Sequence, residues 1–258
     1  MSDIQIDEPC VLFALRREAA PFLREFPPQQ RFPGAPCWAK FCGPSWLTVL
    51  VVQTGVGVAA TEKALAWLLS QPRMGEVPYR PRLVLSAGYA GALREDEQIG
   101  DIILATDVMD TAGTIRPTTW PGELPAGEWR PPIRRGRLLT VAQLVGEPAA
   151  KRDLGAKHDA IAVDMESATV AAMCAKRGVP FGCVRAISDR QDIALSKELA
   201  ELIWEGRVAP WRLVKTCMRS PGIVRELWRL AGHSRHAASQ LAAALGELLT
   251  LTDRKSVV

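Results

Sequence analysis

The chain has 258 residues, of which 48% are hydrophobic and 23% are charged. That composition is sufficient for one large α/β domain, because α/β folds often reach this length without dividing. No apolar run is long enough to span a bilayer, and the acidic start MSDIQIDEPC is unlike a secretory signal peptide. The net charge of +4 is mild, and no nucleic-acid-binding motif accompanies it.

The six cysteines form no CxxC pair, and the three histidines have no zinc-site spacing. We therefore expect free thiols in a reducing cytoplasm, and neither a disulfide framework nor a bound metal.

Apolar strands and helices alternate along most of the chain. The first strand, residues 10–15, runs into Glu18 and a helix that ends at Pro27-Pro28. Further elements are predicted at residues 47–54, 61–69, 83–87, 99–108, 138–144 and 148–154. This alternation predicts a mostly parallel sheet flanked by helices, with ligand-binding groups gathered at one edge. Residues 110–135 are rich in Gly, Pro, Thr and Trp and are predicted to form a long loop that acts as a lid.

Residues 160–192 form the most informative stretch. A strand at 160–163, a helix at 166–177 and a strand at 181–187 predict a parallel βαβ unit. Acidic residues follow both strands, in Asp164-Met165-Glu166 and in Ser188-Asp189. Because parallel strands end at the same edge of a sheet, we expect these acids to share one crevice.

The C-terminal region differs from the rest of the chain. Residues 223–251 are predicted to be helical after the break at Pro221-Gly222, and Trp211 and Trp228 lie among basic residues. Seven basic residues fall between positions 207 and 235: Arg207, Arg212, Lys215, Arg219, Arg225, Arg229 and Arg235. Residues 207–258 are either a helical appendix with a solvated basic face or an interfacial segment attracted to anionic lipid.

Five motifs occur in an order that resembles one known family. They are the strand leading to Glu18, the turn TGVGVAA, the segment SAGYAGAL with the following IGDIILATDV, the segment VDMES, and the segment RAISD. Together, over residues 10–205, they resemble the purine nucleoside phosphorylase and uridine phosphorylase superfamily, particularly its methylthioadenosine/S-adenosylhomocysteine nucleosidases. The resemblance implies a three-layer α/β fold in a domain of residues 1–206. The basic helical extension at 207–258 follows the stretch that carries the resemblance. It also implies a homo-oligomer that binds a purine nucleoside and needs no cofactor, apart from inorganic phosphate if it is a phosphorylase.

Cleavage of a purine N-glycosidic bond needs an acid for the departing base and a group that holds the ribose as it becomes cationic. Asp189 is the candidate acid, since the resemblance places an aspartate beside N7 of the purine; the alternative is a helix N-cap. Glu166 is the candidate ligand of the ribose hydroxyls, and its alternative is a first-turn helix acid. Met165 would pack under the sugar, or simply in the core.

A third carboxyl group would activate water. Glu18 is this candidate base, although Arg16 and Arg17 stand where nucleosidases have acids, and either arginine could bind phosphate instead. The base- or anion-site loop is predicted to include Gly88, Tyr89, Val145 and Ser188. Tyr89 stands where relatives have a short Ser or Thr that binds phosphate in phosphorylases, which favours hydrolysis.

The turn TGVGVAA also matches a dinucleotide-binding fingerprint. That fingerprint requires an acid at the end of the next strand, but residues 83–87 are followed by Gly88-Tyr89. The sequence thus favours a nucleosidase over an NAD-dependent enzyme. A phosphate-dependent phosphorylase, which would act on an adenosylated hopanoid lipid at a membrane, and a non-catalytic nucleoside-binding protein remain as alternatives.

Overall fold

The computed structural model describes residues 5–44, 46–119, 133–194 and 222–254, with side chains in the last range described for residues 231–251. The strands are β1 (Cys10–Phe13), β2 (Pro28–Arg31), β3 (Trp38–Cys42), β4 (Val49–Gln53), β5 (Arg73–Met74), β6 (Val77–Pro78), β7 (Val84–Ala92), β8 (Ile102–Asp110), β9 (Ile115–Pro117), β10 (Ile133–Thr140), β11 (Ala162–Asp164) and β12 (Phe181–Asp189). The helices are α1 (Arg16–Glu25), α2 (Val58–Leu68), α3 (Pro148–His158), α4 (Ser167–Arg177) and α5 (Gly222–Arg254).

One ten-stranded sheet organises the described residues. Its order is β11-β10-β8-β12-β7-β1-β4-β3-β2, with β9 paired to β8. Strand β11 also pairs with β7, so that five strands close on themselves at one end of the sheet. The apolar runs of β1 and β4 lie at its centre and are buried, as expected for strands covered on both faces.

The sheet is mixed, whereas the sequence predicted a mostly parallel one. Strand β7 is parallel to β1 and β12, but β8 is antiparallel to β12. Only residues 93–101 join β7 to β8. A parallel crossover needs about a dozen residues or more, so this short connection returns the chain in the opposite direction.

The prediction of a parallel βαβ unit in residues 160–192 is wrong in strand direction. The predicted helix and strands are present, but β11 is antiparallel to β7, whereas β12 is parallel to β7. Strands β11 and β12 therefore run in opposite directions on either side of β7. Val163 near the end of β11 and Asp189 at the end of β12 nevertheless both lie opposite Gly91 of β7, so the two strands end close to each other from opposite directions.

Helices cover both faces of the sheet. Helices α2 and α4 pack on one face through Leu65, Leu68, Val170 and Cys174. Helices α1 and α5 pack on the other, where Phe22 meets the apolar side of α5. The chain therefore forms the three layers that the resemblance implied.

Helix α5 is continuous with the core on its face of the sheet. Its buried residues recur three or four positions apart, as required for one apolar stripe. They are Ala237, Ala238, Leu241, Ala242, Ala244, Leu245, Leu248 and Leu249. The predicted boundary after residue 206 lies outside the described residues and stays a prediction, as does the role of the basic residues before 222.

The predicted lid is partly regular structure. Strand β8 extends to Asp110, β9 follows at Ile115–Pro117, and β10 begins at Ile133. Residues 120–132 lie outside the described residues. None of the described helices is long and apolar enough to cross a membrane, and the described residues contain no group of three or more His, Cys, Asp or Glu side chains suited to a metal ion.

Candidate active site

A cavity opens where β1 and β4 end, beside the middle of β7. Its polar lining comes from four elements, the turn after β4 and the turn before α4: Glu18, Thr54, Thr61, Ser86, Glu166 and Arg185. Gly88 and Tyr89 of β7 also line it. Two of the three predicted acids, Glu18 and Glu166, thus face one space although they are 148 positions apart in the sequence.

Glu18 is held in place by two backbone amides. The N–H of Leu15 donates to its Oε2 at 2.8 Å, and the N–H of Tyr89 donates to its Oε1 at 3.2 Å. The side chain lies at the start of α1 and the residue is 5% exposed. Burial raises the pKa of the Glu18 carboxyl above its usual value, more than these hydrogen bonds and Arg185 lower it. A carboxylate with a raised pKa is a better proton acceptor, as a base acting on water requires.

Glu166 lies at the N-cap position of α4 and reaches the glycine turn after β4. The N–H of Gly57 donates to its Oε1 at 2.9 Å. Gly57 has φ +87°, a conformation that favours glycine, and it begins α2. The turn that resembles a dinucleotide fingerprint therefore presents an amide to Glu166. Burial, followed by the nearby charge of Asp164, raises the pKa of Glu166 to about 7.

Arg185 and Asp164 form a buried ion pair beneath the cavity. Two guanidinium nitrogens donate to Asp164 Oδ2, Nε at 3.0 Å and Nη2 at 2.7 Å. Nη2 also contacts the hydroxyls of Ser86 and Ser167 at 2.8 and 2.7 Å. Asp164 accepts a further bond from Thr140 Oγ1 at 2.7 Å. Sequence reasoning missed this role for Arg185, although the residue opens the quoted segment RAISD.

Tyr89 contributes its backbone and its ring to the cavity in different ways. Its amide binds Glu18, while its hydroxyl donates to the carbonyl of Ser234 in α5 at 2.9 Å. Gly88 passes close to Glu18, since a Cβ at this position would lie 3.2 Å from Glu18 Oε1. Thr61 Oγ1 is buried at the cavity wall and has no hydrogen-bond partner among the described residues.

Asp189 does not line this cavity. It lies at the end of β12 opposite Gly91, and the residue is 8% exposed. Lys151 of α3 donates from Nζ to Asp189 Oδ2 at 2.5 Å. Asp189 is four residues beyond Arg185 on the same strand, roughly 10 to 13 Å at about 3.3 Å per residue. Val163 of the antiparallel β11 lies opposite the same Gly91, so Asp189 is next to the end of β11 that precedes Glu166.

Three more of the predicted site residues lie outside the lining of the cavity. Ser188 Oγ donates to Asp189 Oδ1 at 3.1 Å. Val145 and Met165 are half-buried, Val145 against a small cluster that includes Leu139 and Val163. None of these three residues is among the lining of the cavity. Lys151 had no sequence signal, because a lysine in a helix is ordinarily exposed.

A family model described as the Phosphorylase superfamily matches residues 45–127 and 122–209 of this chain. The chain belongs to the phosphorylase superfamily. The two matched ranges contain every predicted site residue except Glu18.

Several known nucleosidases are similar to this chain. A 5′-methylthioadenosine/S-adenosylhomocysteine nucleosidase of Bacillus velezensis is 26% identical over 180 residues, covering 59% of this chain and 74% of the relative. An aminodeoxyfutalosine nucleosidase of Helicobacter pylori is 30% identical over 129 residues, covering 42% of this chain and 56% of the relative. The crystal structure of a Helicobacter pylori 5′-methylthioadenosine/S-adenosylhomocysteine nucleosidase with butyl-thio-DADMe-Immucillin-A has a TM-score of 0.67 at 19% identity, covering 95% and 99% of the two chains. This similarity confirms the α/β fold.

Proposed function

We propose that this protein is a purine nucleosidase that hydrolyses the N-glycosidic bond of an adenosine-type nucleoside. The observation that carries the proposal is the convergence of Glu18 and Glu166 on one cavity, each with a raised pKa. The names of the relatives support the class of substrate, because they are nucleosidases of adenosine-type compounds.

Each carboxyl group has a distinct part in this proposal. The C1′–N9 bond breaks with its electron pair going to the purine, and Asp189 gives a proton to N7 of the departing base. Glu166 accepts hydrogen bonds from the ribose hydroxyls and stabilises the positive charge on the sugar. Water forms the new bond to C1′ and passes a proton to Glu18. Exchange with solvent then returns both acids to their starting states, so that no cofactor is needed.

The geometry supports this division of roles in one further respect. The ribose carboxylate and the base that activates water share the cavity, whereas the acid for the purine lies further along β12. A nucleoside that follows β12 from Arg185 toward Asp189 would place its sugar and its base in that order. Ser188, which contacts Asp189, would then lie at the purine end, while Met165 under the sugar and Val145 beside the base stay predictions.

Water is the proposed nucleophile rather than phosphate. Tyr89 places a ring at the cavity where a short hydroxyl side chain would be needed to bind phosphate. Arg17, which is exposed, is close enough to affect the pKa of Glu18, and it is the available cation if phosphate does bind. The adenosylated-lipid substrate and the membrane contact depend on the basic segment before residue 222 and stay predictions, as does a homo-oligomer.

The test is chromatography of the free base released from a panel of purine nucleosides, run with and without phosphate. We expect free base and free sugar in both conditions, and Glu18→Gln should lower the rate roughly 100-fold or more. Glu25→Gln is the matched control, because Glu25 is an exposed acid at the other end of α1. Release that requires phosphate would instead identify a phosphorylase. Binding of the nucleosides without any release of base would identify a binding protein.

A further inference from the structure

The described part of the chain contains one lysine that is completely removed from solvent and lies outside the cavity. Lys151 is 0% exposed and belongs to the second turn of α3. Lysines are almost never fully buried unless they are paired. Its Nζ donates to Asp189 Oδ2 at 2.5 Å and to the carbonyl of Arg190 at 2.7 Å.

The two contacts fix the position of one carboxyl oxygen. Oδ2 of Asp189 is held by Lys151, while Oδ1 accepts only from Ser188 Oγ among the described residues, at 3.1 Å. Gly91 on the neighbouring strand leaves room on this side, since a Cβ there would lie 3.0 Å from Oδ2. The carboxyl group therefore has one oxygen anchored in the protein and one available to a ligand.

We propose that Lys151 is the positioning residue for the acid of the reaction: it holds Asp189 by Oδ2 so that the other oxygen faces the departing base. This inference rests on the proposed function. When Asp189 passes its proton to the base, the carboxylate that forms is stabilised by the adjacent ammonium group. Asp189 then regains a proton from water after the base has left, and Lys151 keeps all of its protons throughout.

A purely structural role would have different consequences. If Lys151 only ties α3 to the end of β12, its loss should impair every reaction of the protein alike. If it acts through Asp189, its loss should impair only those reactions in which the leaving group needs a proton. A 4-nitrophenyl ribofuranoside distinguishes the two roles, because nitrophenolate departs without protonation whereas adenine does not.

The experiment measures kcat on 5′-methylthioadenosine and on the 4-nitrophenyl ribofuranoside for the wild type, Lys151→Met, Asp189→Asn and the double variant. We expect Lys151→Met to lower kcat on the purine nucleoside roughly 10- to 100-fold, as misplacement of a catalytic group does. The nitrophenyl compound should be hydrolysed within about threefold of the wild-type rate. In the Asp189→Asn background, Lys151→Met should cause no further loss on the purine nucleoside.

Arg137→Met is the matched control, because Arg137 forms a half-buried ion pair with Asp107 at 2.6 Å and donates to the carbonyl of His158 at the end of α3, without contacting Asp189. It should leave the ratio of the two substrates unchanged. Lys151→Met leaves Asp189 buried without its partner and can fail to fold, whereas the double variant removes both charges. In that event the double variant is compared with Asp189→Asn alone, and equal rates support the proposal.

The results separate this inference from the function on which it rests. Equal losses on both substrates, or a further loss of more than about threefold in the Asp189→Asn background, would overturn the role of Lys151. No release of base from purine nucleosides by the wild type would overturn the proposed function, and this inference with it.

Discussion

Asp164 and Glu166 are two residues apart in the segment VDMES, yet they lie in opposite environments. Asp164 is buried and accepts hydrogen bonds from Arg185, Ser167 and Thr140. The side chain of Glu166 has one hydrogen bond among the described residues, from the amide of Gly57. Its pKa is raised to about 7, first by burial and then by the charge of Asp164.

Two acids of one short segment thus have different roles, one in the stability of the fold and one at the cavity. The oxygens of Asp164 are occupied by donors that belong to the fold, so that this acid holds the strands around the cavity together. Glu166 faces the cavity with acceptor capacity for a ligand, and burial and the charge of Asp164 raise its pKa more than Arg185 and the amide of Gly57 lower it. Removing a partner of Asp164 should therefore lower stability, whereas changing Glu166 should lower catalytic activity.

The largest expected effect is on stability, from removal of the partner of Asp164. Arg185→Met would leave a buried carboxylate without its ion pair, since the side chains of Arg185 and Asp164 are 4% and 1% exposed. We expect the free energy of unfolding to fall by about 3 to 5 kcal/mol. Urea denaturation followed by circular dichroism measures this loss.

The control for that prediction is an ion pair of similar length nearer to solvent. Arg137 and Asp107 are 2.6 Å apart, with side chains 25% and 19% exposed. Water can reach this pair, so Arg137→Met should cost much less, about 1 kcal/mol. Equal losses from the two variants would show that burial does not distinguish the pairs.

The sequence predicted most of the helices and strands, because their signals lie within a few neighbouring residues. The pattern predicted a helix at 166–177 and the structure has Ser167–Arg177, where Gly178 ends the helix in a left-handed conformation. Helix α5 was predicted at residues 223–251 and extends over Gly222–Arg254. Apolar spacing and glycine stops act within a few residues, so they can be read from a single sequence.

The direction of a strand and the contacts between residues far apart in the sequence could not be predicted from such local signals. Strand β11 has three residues, and its direction depends on pairing with both β10 and β7 rather than on its own pattern. Lys151 and Asp189 are separated by 38 positions and meet only once α3 packs against the end of β12. The sequence therefore identified Glu18 and Glu166, which line one cavity, but it could not identify the ion pair between Lys151 and Asp189.

Removal of the negative charge of Glu166 should weaken catalysis rather than the fold. Glu166→Gln should lower kcat/KM for a purine nucleoside roughly 10- to 100-fold, because hydrogen bonds to a charged group contribute about 1.5 to 3 kcal/mol. Steady-state assays of base release measure it. Glu62→Gln, an exposed acid on α2 near the same glycine turn, is the control and should retain wild-type kinetics. Undiminished kcat/KM in Glu166→Gln would remove this residue from the ribose site.

The third prediction concerns the dependence of stability on pH. The pKa of Glu166 is about 7 in the folded protein and about 4.5 when unperturbed, so burial favours the protonated form. Stability from that form is fully present below about pH 4.5 and is lost as the pH rises through 7. Glutamine mimics the protonated form at all pH values. Glu166→Gln should therefore be more stable than the wild type at pH 8, by roughly 1 to 3 kcal/mol.

Thermal and urea unfolding at pH 5 and pH 8 provide the measurement for Glu166→Gln. Most of the difference from the wild type should disappear at pH 5, because the wild-type carboxyl group is then largely protonated in the folded state. A stability difference that stays constant between the two pH values would contradict a raised pKa. It would leave the change in side-chain packing as the cause.

The smallest expected effect comes from the hydroxyl of Tyr89. Tyr89→Phe removes the bond to the carbonyl of Ser234 but keeps the ring at the cavity and the amide that binds Glu18. We expect a loss of about 1 kcal/mol in the free energy of unfolding, with kcat within about threefold of the wild type. Tyr79→Phe is the matched control, because the Tyr79 hydroxyl donates to the carbonyl of Glu8 at 2.8 Å outside the cavity. If Tyr89→Phe abolished turnover while Tyr79→Phe did not, the hydroxyl itself would take part in the reaction, and helix α5 would act on catalysis through Ser234.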